Sequence, residues 1–150
     1  MFEKILIATD GSRHSRRAAE AAIEMAGLYG STITVLYVVD VGREYAPLGD
    51  LVSRVADDMI AGIRTSLMQQ GHEATRDVGE MAEKAGVSAE RRIVEGYPAQ
   101  EILHLAEEEK AGLIVMGGMG ETGLNRFLLG SVADKVVRSS EIPVLVVRRD

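Results

Sequence analysis

The residues best suited to chemistry in this sequence are three glycines and a serine between residues 113 and 132. Gly117 and Gly120 follow a short apolar run, and Gly130 and Ser131 come immediately before an amphipathic pattern. Glycines let backbone N–H groups approach a ligand closely, and the start of a helix adds unpaired donors and the positive end of the helix dipole. The pattern Gly117-x-x-Gly120-x9-Gly130-Ser131 therefore favours binding of an anion such as a phosphate group.

Parts of this stretch also have simpler explanations. Ser131-x-x-Asp134 before an apolar run matches a capping box, which would give Ser131 a purely structural role. Gly117 and Gly118 could form a tight turn. The stretch Gly118-x-Gly120-x-x-Gly123 is formally a dinucleotide fingerprint, but that motif normally lies in the first strand-helix-strand unit, whereas only one strand follows here.

Composition excludes several functional classes. The chain has 150 residues, a formal charge of −6 and no cysteine. An acidic chain without a basic cluster is unsuited to nucleic acids and anionic membranes, and the lack of cysteine excludes disulfides and thiol chemistry. No apolar run approaches the ~20 residues of a membrane-spanning helix, and the N-terminus does not resemble a signal peptide. We expect a cytoplasmic protein consisting of a single domain over residues 1–150.

Hydrophobic periodicity predicts strands that alternate with helices. The predicted strands are Lys4–Ala8, Thr32–Val39, Ala89–Glu95, Leu113–Met116 and Pro143–Val147. The predicted helices are Arg13–Tyr29, a long pattern from Val52 to Ala85 with a weak point or break at Gly71, a segment starting at Pro98, and Ser131–Ser139; Asp40–Gly49 is predicted to be a loop. This alternation predicts an α/β fold, a doubly wound parallel sheet with helices on both faces.

In such sheets, ligands bind beyond the carboxyl ends of the strands, where the strand order reverses. Asp10 follows the first predicted strand and Gly117 follows the fourth. If these strands are neighbours at the reversal, both residues face one crevice. An acid after a strand also often caps the next helix, so Asp10 has a structural alternative.

No catalytic or metal-binding arrangement is evident. The sequence contains neither GxxxxGK[ST] nor GxSxG, and His14, His72 and His104 lie far apart in predicted helices. No general base or arginine finger of the kind that phosphoryl transfer recruits is evident. We therefore assign no catalytic residues and expect no dedicated catalytic activity.

Two segments resemble one known family. KILIATDGS at the N-terminus and LLGSVADKVVRSSEIPVLVVR at the C-terminus are similar to the universal stress proteins, and the glycine spacing is similar to the signature of their ATP-binding branch. The resemblance covers the whole chain in element order. It implies a five-stranded sheet of order 3-2-1-4-5 of the adenine nucleotide alpha hydrolase-like type. It also implies bound ATP, AMP or ADP. Because the carboxylate of Asp10 would repel a triphosphate unless it faced the nucleoside or a metal, we expect it to face the nucleoside and expect Mg²⁺ to bridge the phosphates.

The resemblance also implies the roles of individual residues. Asp10 would contact the nucleoside, the backbone at Ala8 and Val38 would hold the adenine, and Met116 would line the entry. The ribose and phosphates would be surrounded by Gly117, Gly120, Gly130, Ser131 and Val132. Gly118-Met119 stands where a polar or basic pair is common, so one side-chain contact to phosphate is expected to be missing.

The last strand, Pro143–Val147, is apolar and is predicted to form a sheet edge, which invites pairing with a second chain. Dimerisation through this strand is also what the resemblance implies. The leading interpretation is a homodimeric nucleotide-binding switch or sensor in stress response. The alternative is a dimerising interaction module that binds no nucleotide. An adenylating enzyme would be expected to contain SGGxDS, HIGH or KMSKS sequences, and none occurs.

Overall fold

The computed structural model describes residues 1–42, 54–119 and 129–148. Strands and helices alternate along the chain, as the periodicity predicted. The strands are β1 (Lys4–Ala8), β2 (Thr32–Asp40), β3 (Ala89–Gly96), β4 (Leu113–Gly117) and β5 (Val144–Val147). The helices are α1 (Arg13–Tyr29), α2 (Arg54–Lys84), α3 (Pro98–Glu108) and α4 (Ser131–Ser139).

The five strands form one parallel sheet of order β3-β2-β1-β4-β5. Ala8 at the end of β1 is aligned with Leu36 on one side and with Met116 on the other. The chain moves outward from β1 to β3 and then returns to place β4 on the opposite side of β1. The predicted fold and strand order are confirmed, and the strand order reverses between β1 and β4.

Each face of the sheet is covered by a pair of helices. Ile5, Ile7 and Val115 pack with α1 and α2 on one face. Leu6 and Ile114 pack with α3 and α4 on the other. The central strands are therefore buried on both faces, and this burial explains why their sequences are continuous apolar runs rather than alternating patterns.

Most predicted boundaries hold within a residue. β2 extends one residue further than predicted, to Asp40, and β5 begins at Val144 rather than at Pro143. Val41 and Gly42, predicted to be in a loop, are helical, and the rest of that predicted loop lies outside the described residues. Among the described residues, no helix is long and apolar enough to cross a membrane.

The predicted break at Gly71 is wrong, because α2 passes through this residue without interruption. A Cβ atom at position 71 would lie 2.7 Å from Cδ1 of Tyr37. Glycine is needed here so that the helix can approach the aromatic ring on β2. Sequence periodicity contains no information about that approach, whereas a glycine inside a helix pattern ordinarily indicates a weak point.

Candidate functional site

A cleft of about 250 Å³ opens at the carboxyl ends of the strands, where β1 and β4 lie side by side. β1 and the turn after it contribute Ala8, Thr9 and Asp10. On one side the cleft is bounded by the end of β4 and the start of α4, and on the other by β2, α2 and α3. This is the position at which a doubly wound sheet binds its ligands.

Asp10 lines the cleft and is exposed. Its Oδ1 accepts a hydrogen bond of 2.9 Å from the backbone N–H of Ser12. The N-cap of α1 is Ser12, whose side chain accepts from the N–H of Ser15. The alternative role of Asp10 as the helix cap is therefore wrong. Its carboxylate instead stays in the turn, with Oδ2 hydrogen-bonded to none of the described residues.

The start of α4 differs from the predicted capping box. The N-cap is Gly130, which offers no side-chain acceptor, and Ser131 is the first helical residue. Asp134 reaches Arg138 through a contact of 3.0 Å rather than back toward the cap. The hydroxyl of Ser131 makes no hydrogen bond to any described residue. The capping-box alternative is wrong, and α4 begins at the cleft with its first donors unsatisfied by the described chain.

The glycines at the end of β4 allow close packing. A Cβ atom at Gly117 would lie 2.9 Å from the carbonyl carbon of His14 and 3.0 Å from the N atom of Ser15. The N–H of Gly130 donates to the carbonyl of Gly118 at 2.7 Å, which brings the start of α4 against the end of β4. These backbone contacts bring α1, β4 and α4 together at the cleft.

The opposite side of the cleft is mainly apolar and comes from three elements. Leu36, Tyr37 and Val38 belong to β2 and Leu67 to α2, while Pro98 and Ile102 belong to α3. Two polar side chains accompany them, Asp40 at the end of β2 and Gln70 on α2. The cleft therefore has one side made largely of backbone groups and another made largely of side chains.

Comparison with known proteins identifies the family. The model of the universal stress protein family matches residues 1–148. Universal stress protein MJ0531 of Methanocaldococcus jannaschii is 42% identical over 149 residues, covering 99% of this chain and 84% of that protein. The chain belongs to the universal stress protein family. The predicted family resemblance is confirmed.

Solved structures agree with this assignment. The structure of hypothetical protein MJ0577 matches with a TM-score of 0.84 at 29% identity, covering 100% of this chain and 98% of that one. A universal stress protein crystallised in complex with cAMP matches with a TM-score of 0.69 at 28% identity, covering 98% of this chain and 97% of the other. A member of the family with this fold thus binds a cyclic adenine nucleotide.

Within this universal stress protein, the structure brings together nearly all of the site residues predicted from the sequence. The predicted residues that line the cleft are Ala8, Asp10, Val38, Met116, Gly117, Gly130, Ser131 and Val132. Gly120 lies outside the described residues, as does the rest of the segment 120–128. The roles of these residues toward a ligand stay predictions.

Several cleft residues were not predicted as site residues. Asp40 is the last residue of β2, and Asp10 lies two residues after the end of β1. An acid at a strand end is a signal that could have identified Asp40 from the sequence. Leu67, Gln70 and Ile102 could not be identified, because no local signal tells which turn of a helix reaches the cleft. Thr9 and Ser15 form a buried hydroxyl pair at 3.1 Å, which neither a motif nor periodicity indicated.

The cleft contains two carboxylates among its described lining residues, Asp10 and Asp40. Among residues 1–42, 54–119 and 129–148, no group of three or more His, Cys, Asp or Glu side chains could hold a metal ion. The two carboxylates of the cleft, Asp10 and Asp40, each accept from a nearby backbone N–H. A Mg²⁺ ion here would suit the usual arrangement in which ligand phosphates and water supply most of its oxygens.

Proposed function

We propose that this universal stress protein binds an adenine nucleotide, with ATP as the leading ligand and AMP or ADP as related ones. The supporting observation is the start of α4 at the cleft. The N–H groups of Ser131, Val132 and Ala133 precede the first backbone hydrogen bond of the helix, from Asp134 to Gly130, and donate to no described residue. Unpaired donors at a helix N-terminus form a site for phosphate oxygens.

The other parts of the site have complementary roles in this proposal. Backbone groups of Ala8 and Val38 hold the adenine, Asp10 contacts the nucleoside, and Gly117 and Gly130 allow the phosphates to lie against the backbone. Mg²⁺ bridges phosphate oxygens and retains water, and it neutralises part of the negative charge that the ligand brings beside Asp10. The related structure with cAMP supports the choice of an adenine nucleotide.

Binding acts as a switch in this proposal. A ligand that contacts one conformation of the segment after β4 more strongly than the others shifts the population toward it. The protein has no dedicated catalytic activity, and hydrolysis of ATP is slow where it occurs. In this proposal the protein acts in the cytoplasm, and its conformation responds to stress through the fraction of protein that has nucleotide bound.

The test of binding uses the purified full chain. The protein is denatured and any nucleotide that co-purified is identified by chromatography. The nucleotide-free protein is then titrated calorimetrically with ATP, AMP and NAD. We expect a retained adenine nucleotide or saturable binding of ATP, with no binding of NAD. The absence both of retained nucleotide and of ATP binding up to millimolar concentration would overturn the proposal and favour a module that binds no nucleotide.

We further propose that the chain forms a homodimer through β5. This strand pairs with β4 on one side only, and all its residues are partly exposed. The carbonyls of Pro143 and Val147 accept from β4 and the turn after it. Since backbone groups alternate sides along a strand, the N–H and C=O groups of Val144 and Val146 are directed to the free edge. An apolar edge of this kind is suited to pairing with a second copy.

Val146→Pro tests this edge, because proline removes an outward N–H without removing a hydrogen bond to β4. We expect the variant to be monomeric at concentrations where the wild type is dimeric, as measured by light scattering after size-exclusion chromatography. Val146→Ala is the matched control, since it shortens the side chain but keeps the N–H. A dimer that persists in Val146→Pro would contradict the assignment of the interface to β5.

A further inference from the structure

One face of α2 packs against the sheet and continues into the cleft. Thr75, Val78 and Ala82 on this face are fully buried or nearly so. One turn earlier, Gly71 packs against the ring of Tyr37. Because α2 connects the carboxyl end of β2 to the amino end of β3, its residues before Gly71 extend past the carboxyl edge of the sheet. The next positions on the same face therefore meet the cleft instead of a strand.

Leu67, one turn before Gly71, occupies one of these positions. Gln70 lies at the margin of this face, where it is exposed and also lines the cleft. The amide of Gln70 makes no hydrogen bond to any described residue, although it lines the cleft. The neighbouring Gln69 does not line the cleft, and its Nε2 donates to Oε1 of Glu73 at 3.1 Å. Two adjacent glutamines on one helix thus differ. Gln69 is paired with Glu73, whereas Gln70 is exposed, lines the cleft and makes no side-chain hydrogen bond to a described residue.

The location of Gln70 indicates which part of a nucleotide it would meet. The phosphate-binding groups proposed above lie beside β4 and α4. α2 packs over β2 and β3, so Gln70 lies across β1 from those groups. The cleft residues near this side are largely apolar, among them Leu36, Val38 and Ile102. Apolar walls are suited to the flat faces of a purine, and an amide at their margin is suited to its polar edge.

We propose that Gln70 selects the purine base, favouring a 6-amino purine such as adenine over a 6-oxo purine such as hypoxanthine or guanine. A glutamine amide presents one acceptor and one donor side by side. Adenine offers the N6 amino donor next to the N7 acceptor, whereas a 6-oxo purine offers two acceptors, O6 and N7. The amide oxygen of Gln70 accepts from N6 and its NH₂ group donates to N7. This role depends on the nucleotide binding proposed above.

The experiment compares ATP with ITP, which differ at the six-position of the base and share the same ribose and phosphates. Dissociation constants of the full chain are measured by calorimetry with Mg²⁺ present. We expect wild type to prefer ATP by about tenfold to a hundredfold, and Gln70→Ala to bring the ratio close to one. Gln69→Ala is the matched control and is expected to retain the wild-type ratio.

A third variant replaces the amide of Gln70, which both donates and accepts, with a side chain that only donates. Gln70→Lys has donors only, so it is expected to shift the ratio toward ITP, whatever its charge adds to the affinity for both triphosphates. Equal affinity of wild type for ATP and ITP would overturn the role of Gln70, as would a preference that survives in Gln70→Ala or an equal loss in Gln69→Ala. Binding of neither nucleotide by wild type would overturn the proposed function as well, so the two failures are distinguishable.

Discussion

The helices α1 and α4 both begin next to the cleft, and the N–H groups of their first turns are satisfied differently. α1 is capped by Ser12, whose hydroxyl accepts from the N–H of Ser15 at 3.2 Å. α4 is capped by Gly130, which has no side chain to accept such a bond. The two caps have similar backbone angles, with φ and ψ of −72° and 164° at Ser12 and −61° and 157° at Gly130. The main difference between these caps is therefore the side chain.

This difference indicates which helix start is available to a ligand. The serine cap uses one donor of α1 for the stability of the helix itself, and it joins a hydroxyl network with Thr9 and Ser15. The glycine cap leaves the first donors of α4 without a partner in the described chain, which lowers the stability of the isolated helix. A bound phosphate would compensate for that loss. We therefore expect phosphate to bind at α4 and the first turn of α1 to have a structural role.

The largest effect is expected at Gly117, where β4 contacts the first turn of α1. In Gly117→Ala the new Cβ atom would lie within 3.0 Å of backbone atoms of His14 and Ser15, which cannot rotate away. We expect the free energy of unfolding, from urea denaturation, to fall by about 2–3 kcal/mol. Gly27→Ala is the control, since nothing lies within 4 Å of a Cβ atom there, and it should gain up to about 1 kcal/mol. Equal effects of the two variants would contradict the close contact.

Replacing the glycine N-cap of α4 with serine, the residue that caps α1, should weaken nucleotide binding. In Gly130→Ser the new hydroxyl can accept from the N–H of Ala133 and so competes with a phosphate for the donors of this helix. We expect ATP affinity to fall about tenfold in calorimetry, because a hydrogen bond to a charged group contributes about 1.5–3 kcal/mol. Thermal stability without nucleotide should stay equal or rise slightly. Unchanged ATP affinity together with a raised melting temperature would contradict phosphate binding at α4.

The reverse change at α1 should affect stability alone and is the smallest of the three effects. Ser12→Ala removes the side-chain acceptor for the N–H of Ser15, and the expected cost is about 1 kcal/mol in the free energy of unfolding. ATP affinity, measured at a temperature where the variant is fully folded, should match that of the wild type. A loss of affinity as large as in Gly130→Ser would mean that both helix starts bind the ligand.

The two helix starts also show which structural features could be predicted from the sequence alone. The bounds of β1 and α1 were predicted correctly, because apolar periodicity and a clear stop at Gly30 mark them. The prediction that α4 begins at Ser131 was also correct, but the capping box was not. A glycine N-cap has no side-chain signature, whereas the serine that follows it matches the sequence pattern of a cap.

Site residues could not be predicted from the sequence where the cleft is formed by parts of the chain that are far apart in sequence. The side of the cleft next to β4 could be predicted, because its glycines are close together in sequence and form a motif. The side formed by α2 could not, because the contribution of Leu67 and Gln70 depends on how far a helix of 31 residues extends past the sheet. That overhang is set in part by the packing of Gly71 on Tyr37, a contact between residues far apart in sequence.

The most direct test of phosphate binding at α4 is the response of individual backbone amides to ATP, followed by two-dimensional ¹⁵N–¹H NMR of the full chain. Adding ATP with Mg²⁺ is expected to shift the resonances of Ser131 and Val132 strongly, since their N–H groups would donate to phosphate oxygens. The amides of Arg13 and His14, in the first turn of α1, are expected to shift little. Larger shifts at Arg13 and His14 than at Ser131 and Val132, or no shift at any of them with ATP bound, would contradict the assignment.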